Sequence, residues 1–102
     1  MRTYEVILII SPELDETAVT GIVEKTKGWI TESGGAVEKA DFWGKRKLAF
    51  MIRKQRDGQY VYILAKMNPA ATAELDRNLR YTEPVLRAMI TPALTGQRIH
   101  MP

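Results

Sequence analysis

Residues 36–67 read AVEKADFWGKRKLAFMIRKQRDGQYVYILAKM, and this stretch decides the fold because it predicts two long strands joined by a hairpin. Within residues 60–67 the side chains alternate, with valine, isoleucine, alanine and methionine on one face and the tyrosines, leucine and lysine on the other. Asp57-Gly58, just before this alternation, is a strong signal for a hairpin turn. Residues 54–58 are polar as a whole, so the stretch predicts an antiparallel pair joined within this segment, with Asp57-Gly58 as the turn signal.

The first strand of this pair is unusually long and is interrupted once. Gly44 predicts a bulge or a bend, because a glycine inside a strand weakens regular pairing at that point. Beyond it, Leu48, Phe50 and Ile52 occupy alternate positions. We therefore expect the second half of this strand to pack one face on the hydrophobic core.

A helix is predicted before the hairpin. Asp15 is a favourable N-cap, because its carboxylate accepts hydrogen bonds from the unpaired amides of a first turn. Residues with three-and-four spacing follow and predict one buried stripe: Ala18, Val19, Ile22, Val23, Thr26, Trp29 and Ile30. Gly34-Gly35 then offers the left-handed conformation that commonly ends a helix.

A second helix and two further strands complete the pattern. Asn68-Pro69 predicts a helix start, with a capping side chain and a proline at the first helical position, and the helix continues over residues 70–80. Residues 2–10 carry apolar side chains on both alternating faces, as a central strand does. Residues 85–91 predict the last strand.

The resulting order, β-α-β-β-α-β, predicts one α+β domain over residues 1–92. Right-handed crossovers then favour the ferredoxin-like arrangement, a four-stranded antiparallel sheet with both helices on one face. We expect residues 93–102 to form a flexible C-terminal tail, because residues 92–102 hold two prolines and a glycine. The sheet face without helices carries aromatic, aliphatic and basic side chains, which makes it a candidate docking surface.

The composition argues against several classes of protein. The chain has no cysteine, which excludes disulfides, thiolate catalysis and cysteine-ligated metal. The N-terminus lacks the pattern of a signal peptide, and the apolar run at residues 6–10 is too short to span a bilayer. We therefore expect a cytoplasmic protein that does not associate with membranes.

Candidates for catalysis are weak. The single histidine, His100, lies in the predicted tail, where no fixed geometry would hold it as a base. Glu13, Asp15 and Glu16 are better explained as a helix-start cluster stabilised by the helix dipole than as a metal site. Acylphosphatase-like enzymes share the topology, but their phosphate loop after the first strand carries an arginine, and residues 11–15 here are acidic. We expect no enzyme activity, no cofactor, no metal and no small-molecule substrate.

Positive charge is concentrated in the second half of the chain. Residues 1–44 carry four basic and eight acidic side chains, a balance of −4, whereas residues 45–102 carry eleven and four, a balance of +7. Residues 45–56 alone hold six cations and no acid. This asymmetry favours a one-sided positive field that attracts a polyanion. Solubilising charges that discourage edge-to-edge aggregation explain the same pattern equally well.

The candidate RNA contacts are basic residues of the hairpin, the second helix and the outer strands. They are Arg2, Lys45, Arg46, Lys54, Arg77, Arg80 and Arg87. Because the last strand of this topology usually pairs with the first, we expect Arg2 to lie near Arg87. Their role would be to hold phosphates and position the RNA, without reading its sequence.

Aromatic side chains offer a second route to RNA. Phe42, Trp43, Tyr60 and Tyr62 suit stacking on unpaired bases. Residues 58–63 lack the basic-Gly-aromatic-Gly-aromatic signature of the RNA-recognition motif, however, and strand aromatics more often cover a sheet. Recognition of the RNA backbone and shape is therefore the favoured prediction.

Short motifs lie in a fixed order along almost the whole chain. They are Met1-Arg2-Thr3-Tyr4-Glu5, Pro12-Glu13-Leu14, Gly44-Lys45-Arg46-Lys47-Leu48-Ala49-Phe50-Met51-Ile52, Gly58-Gln59-Tyr60, Leu79-Arg80 and Val85-Leu86-Arg87. In order and spacing these motifs resemble the bacterial small-subunit ribosomal protein "S-six" family, whose most specific stretch reads Gly-x-basic-x-Leu-Ala-Tyr-x-Ile. Phe50 stands where that family usually has tyrosine, Met51 replaces a frequent proline, and Lys47 is less typical.

The resemblance implies the same ferredoxin-like fold and a structural role in the small ribosomal subunit. It also implies binding of small-subunit ribosomal RNA at a helix junction during platform assembly, together with the small ribosomal protein "S-eighteen". The residues themselves leave one alternative open. This is a ferredoxin-like module that senses a ligand or forms homo-oligomers through its open sheet, without binding RNA.

Overall fold

The structure, a computed structural model, describes residues 1–93. Its elements are β1 (Arg2–Ile10), α1 (Glu16–Glu32), β2 (Ala36–Ile52), β3 (Gln55–Met67), α2 (Pro69–Arg80) and β4 (Val85–Pro92). The strands form one sheet in the order β2-β3-β1-β4, with every neighbouring pair antiparallel. The predicted β-α-β-β-α-β order and sheet are thereby confirmed. Apart from residue 93, the predicted tail lies outside the described residues.

The core lies between the sheet and both helices. On β1, alternate residues from Tyr4 to Ile10 face the helices and pack with side chains of α1 and α2. Ile7 and Ile9, on the opposite face, are each only 3% exposed, so β1 is covered on both sides as predicted for a central strand. Neither α1 nor α2, the helices found in residues 1–93, is long and apolar enough to cross a membrane.

The helix starts differ in how they are capped. The Ala18 amide donates to Asp15 Oδ1 over 2.8 Å, so the predicted cap of α1 is confirmed. Asn68 occupies the cap position of α2, but its side chain makes no capping hydrogen bond there. The predicted capping role of the Asn68 side chain is therefore wrong, and Pro69, with its fixed φ, marks the start of α2.

The hairpin turn is not where Asp57-Gly58 predicted it. Ile52 pairs with Gln55, and the two residues between them, Arg53 and Lys54, have φ of +50° and +67°. Two left-handed residues match the twist of the flanking strands. Gly58 lies within β3, where a Cβ would meet Ile9 Cγ2 at 2.5 Å. Position 58 must be glycine because β3 packs closely against β1 there. From the sequence alone, a glycine needed for close packing cannot be told apart from a glycine needed for a turn.

The outer part of the hairpin extends beyond the core. Gly44 has φ +82° and interrupts the β2–β3 register, which confirms the predicted bulge. Beyond it, Phe50 is 65% exposed and Met51 56% exposed. The prediction that this half of β2 packs a face on the core is wrong, because β1 ends opposite Gln59 and leaves the tip without a third strand beneath it.

Gly21 offers a stabilising substitution. It is exposed inside α1, and no atom lies within 4 Å of a Cβ built on it. Gly21→Ala is expected to raise the free energy of unfolding by about 0.5–1 kcal/mol, because alanine loses less backbone entropy in a helix. Urea denaturation measures this change. Gly34→Ala is the matched control, since its site is equally open but has φ +91°, and it is expected to cost about 1–2 kcal/mol. A loss of stability in Gly21→Ala would contradict the prediction.

Candidate nucleic-acid interface

Basic side chains gather at one end of the sheet, which we call the hairpin end. It is the end where β1 stops, β4 starts and the β2–β3 hairpin projects. Arg87 pairs with Ile9 there, and Lys45 and Arg46 pair with β3 residues next to the end of β1. Neighbouring strands lie about 4.8 Å apart, so Arg46 on β2 and Arg87 on β4 are separated by about 14 Å across the sheet. One extended polyanion can contact both.

Three arginines from separate parts of the chain line an open cavity of about 370 Å³ at this end. Arg53 comes from the hairpin turn, Arg80 from the end of α2 and Arg87 from β4. The remaining lining residues are Asp76, Leu79, Val85, Leu86 and Ala88. We call this cavity the arginine pocket.

Two contacts arrange the arginine pocket. Arg53 Nη1 donates to the main-chain oxygen of Glu83 over 2.9 Å and so ties the hairpin turn to the loop before β4. Arg80 Nη2 lies 2.8 Å from Asp76 Oδ2, one helical turn earlier. The Arg80 side chain is nevertheless 76% exposed, so its guanidinium stays accessible to a ligand.

Most cations of the hairpin end have no carboxylate partner. Within residues 1–93 the ion pairs shorter than 4.0 Å involve Lys27, Lys39, Lys66 and Arg80. The other four predicted contacts at this end are in none of these pairs: Lys45, Arg46, Lys54 and Arg87. Unpaired exposed cations keep their field available to a polyanion.

Arg2 and Arg77 differ from the rest. Arg2 pairs with Met67 at the far end of the sheet, seven positions along β1 from Ile9, which is about 23 Å. The expected proximity of Arg2 to Arg87 is therefore wrong, because antiparallel pairing sets the start of β4 beside the end of β1. Arg77 is exposed in the last turn of α2 but does not line the arginine pocket.

A model of the family described as Ribosomal protein S6 matches residues 3–91. The chain belongs to the ribosomal protein S6 family. Small ribosomal subunit protein bS6 of Desulforamulus reducens is 48% identical over 90 residues, which cover 88% of this chain and 95% of that protein. The bS6 protein of Moorella thermoacetica is 44% identical over 91 residues, which cover 89% and 93% of the two chains. The resemblance found in the sequence motifs is confirmed.

A solved S6 structure shows the same fold. The crystal structure of 30S ribosomal protein S6 from Thermotoga maritima superposes with a TM-score of 0.84 at 30% identity, over 90% of this chain and 87% of that one. The ferredoxin-like fold predicted from the sequence is thus confirmed for this S6-family chain. Ribosomal proteins of this family are a structural, non-enzymatic kind of protein.

Three of the four aromatic residues predicted for base stacking divide into two groups in this S6-family chain. Trp43 stacks on Tyr62 with ring centroids 5.2 Å apart and planes 7° apart, and the Arg46 guanidinium lies 5.9 Å from the Trp43 centroid. Tyr62 is only 5% exposed, so its ring packs on the sheet and is not available to a base. Phe42 is 53% exposed and lies beside α1, on the helix side of the sheet. The stack holds Arg46 in place by a cation–π contact.

Arg53 was not among the residues predicted for the interface. Because the turn signal was Asp57-Gly58, Arg53 was not predicted to be a turn residue, whereas in this S6-family fold it forms the turn itself. A left-handed pair at Arg53-Lys54 has no strong sequence signal. Among the described residues no cluster of three metal-ligating side chains occurs, and His100 lies outside them.

Proposed function

We propose that this chain is a structural constituent of the small ribosomal subunit that binds small-subunit ribosomal RNA through its hairpin end. The observation that carries this proposal is that exposed cations without a carboxylate partner gather there on β2, the hairpin turn and β4, in a chain whose relatives are small ribosomal subunit proteins. On this proposal the protein is cytoplasmic because the ribosome is. It has no catalytic task and needs no cofactor.

The binding mode follows from the residue types. Guanidinium and ammonium groups bind phosphate oxygens and release condensed counterions, which gives affinity without sequence readout. We assign this role to Lys45, Arg46, Lys54, Arg77, Arg80 and Arg87. Arg2 is proposed as a separate contact, since about 23 Å of strand divides it from the hairpin end. An RNA that reaches Arg2 must extend along the length of the sheet.

The proposed protein partner is small ribosomal protein "S-eighteen". This part of the proposal rests on the family resemblance, and the sheet leaves room for it, because β2 and β4 are edge strands. An edge strand has main-chain groups that can pair with another chain. RNA binding should therefore be measured with the chain alone and with the partner added.

The alternative of a homo-oligomerising module makes a different prediction. It needs an accessible apolar sheet face, yet Ile7 and Ile9 are each 3% exposed and Tyr62 5% exposed within a single chain. We expect light scattering to give a monomer mass without RNA and a larger mass when RNA and partner are present. A concentration-dependent dimer that ignores RNA would favour the alternative.

Arg80→Ala and Arg87→Ala test the interface directly. Each is expected to weaken binding of a small-subunit ribosomal RNA fragment, with partner present, by about tenfold, because a charge-assisted hydrogen bond is lost. Both side chains are exposed, so the unfolding free energy should change little. Lys25→Ala, on the exposed side of α1, removes the same charge elsewhere and is the control. Unchanged affinity in both arginine variants would remove them from the interface.

A further inference from the structure

We propose that the arginine pocket is a discrete site for one phosphate group of the RNA backbone, and that Arg53 completes it. The inference rests on the proposed function and deepens it. A diffuse basic surface attracts RNA anywhere along its length. A pocket lined by three arginines would instead hold one phosphate at a fixed place and set the register of the RNA on the protein.

The charges of the lining fit a phosphate diester. Arg53, Arg80 and Arg87 contribute three positive charges, and Asp76 is the one acidic residue among the lining residues of the described chain. Asp76 Oδ2 lies 2.8 Å from Arg80 Nη2, so the charge of this carboxylate is already matched. The pocket therefore keeps two positive charges in excess, enough for a group that carries one negative charge.

The donor geometry favours phosphate over a simple charge contact. Each guanidinium is a planar fork with five donors and binds two oxygens of a phosphate at once. One donor of Arg53 is used by the Glu83 oxygen and one of Arg80 by Asp76. The remaining donors of these two arginines are available to the non-bridging oxygens of a ligand, and Arg87, exposed on β4, also lines the pocket.

The floor of the pocket strengthens these contacts. Leu79 is 0% exposed and Val85 2% exposed, so part of the pocket lining belongs to the apolar core. Charges beside a low-dielectric surface are screened less by water and salt than charges on open strands such as outer β2. A phosphate in the pocket would therefore be held more tightly than one beside Lys45.

Arg53 is in place before a ligand arrives. Its hydrogen bond to Glu83 holds the guanidinium at the rim of the pocket, across the loop that leads into β4. Such preorganisation lowers the entropy cost of binding. A phosphate bridging Arg53 and Arg87 would also join the hairpin turn to β4, so that RNA binding and the position of the hairpin become coupled.

The first test uses inorganic phosphate as the probe, with the full chain. Nitrogen–hydrogen NMR correlations of the arginine Nε groups are recorded during titration, with chloride balancing ionic strength. We expect the signals of Arg53, Arg80 and Arg87 to shift together along one saturable curve. The signals of Arg46 and Arg56, which lie outside the pocket, should not shift. Equal shifts of all arginines, or no saturable shift, would overturn the discrete site.

The second test separates an RNA phosphate from a free one. Arg53→Lys keeps the charge and the turn but removes the fork, and Arg56→Lys is the matched control on the same hairpin. With partner present, Arg53→Lys is expected to lower affinity for a small-subunit ribosomal RNA fragment about tenfold, and Arg56→Lys less than about twofold. Arg87→Lys is the second pocket variant, should Arg53→Lys disturb the turn.

The outcomes distinguish the two proposals. If the unmodified chain with its partner binds no RNA, the proposed function fails. If it binds RNA but both pocket variants bind as well as Arg56→Lys, the function stands and the phosphate site is overturned. If inorganic phosphate saturates the pocket while RNA affinity ignores both variants, the ligand is a free phosphate compound, and the RNA assignment of the pocket is wrong.

Discussion

RNA affinity of this chain, measured with the proposed partner protein, is expected to fall about 500-fold when monovalent salt rises from about 50 to about 200 mM. The figure assumes about five phosphate contacts, and each one releases close to one condensed cation on binding. Single contacts at Lys45, Arg46, Lys54 and Arg77, with the one phosphate of the arginine pocket, make up that number. Fluorescence anisotropy over a salt series measures the slope of log affinity against log salt.

Single substitutions should change that slope in a defined way. Arg46→Ala removes one contact and is expected to make the slope shallower by about one unit, whereas Lys25→Ala on α1 should leave it unaltered. A slope that changes in one variant and not in the other identifies a phosphate contact, even where the two variants bind RNA with similar affinity. A nearly flat salt response of the unmodified chain would mean that phosphate neutralisation does not drive binding, and the proposed interface would have to be abandoned.

Leu8→Ala is expected to cause the largest loss of folding stability, about 2–5 kcal/mol. Leu8 is 0% exposed at the middle of β1, the strand between β3 and β4, and it packs in the cluster shared with both helices. Removing its branched end leaves a cavity that neighbours on a central strand cannot close. Small domains have a total stability of about 5–15 kcal/mol, so this substitution would remove much of it.

Urea denaturation followed by circular dichroism measures the effect of Leu8→Ala. Met51→Ala is the control, because Met51 is 56% exposed on the outer hairpin and its truncation is expected to cost less than about 0.5 kcal/mol. Equal losses in the two variants would show that the outer hairpin contributes to the core. The hydrophobic core would then extend into the outer hairpin, contrary to the exposure of Met51.

Local sequence signals succeeded where neighbouring residues decide the outcome. The Asp15 cap, Pro69 at the start of α2 and the Gly44 bulge were read from short stretches, and each is present in the structure. They succeed because a cap, a fixed proline φ or a left-handed glycine φ depends mainly on residues only a few positions apart. The apolar alternation of β3 succeeded for the same reason.

Predictions failed where distant contacts compete with a local signal. Asp57-Gly58 has the composition of a turn, but Gly58 is needed where β3 passes close to Ile9, and the turn moves outward to Arg53-Lys54. Phe50 has the alternation of a buried residue, yet no strand lies beneath the outer hairpin to bury it. In both cases the deciding partner is β1, more than thirty residues earlier in the chain.

The sequence by itself determined the order of elements, the central position of β1 and the family, because hydrophobic periodicity and motif spacing are properties of the chain alone. Tertiary structure alone decided which cations share a surface. It brought Arg53, Arg80 and Arg87 around one cavity and placed Arg2 at the other end of the sheet. Strand register and turn position decide these distances, and both depend on packing between segments that are far apart in sequence.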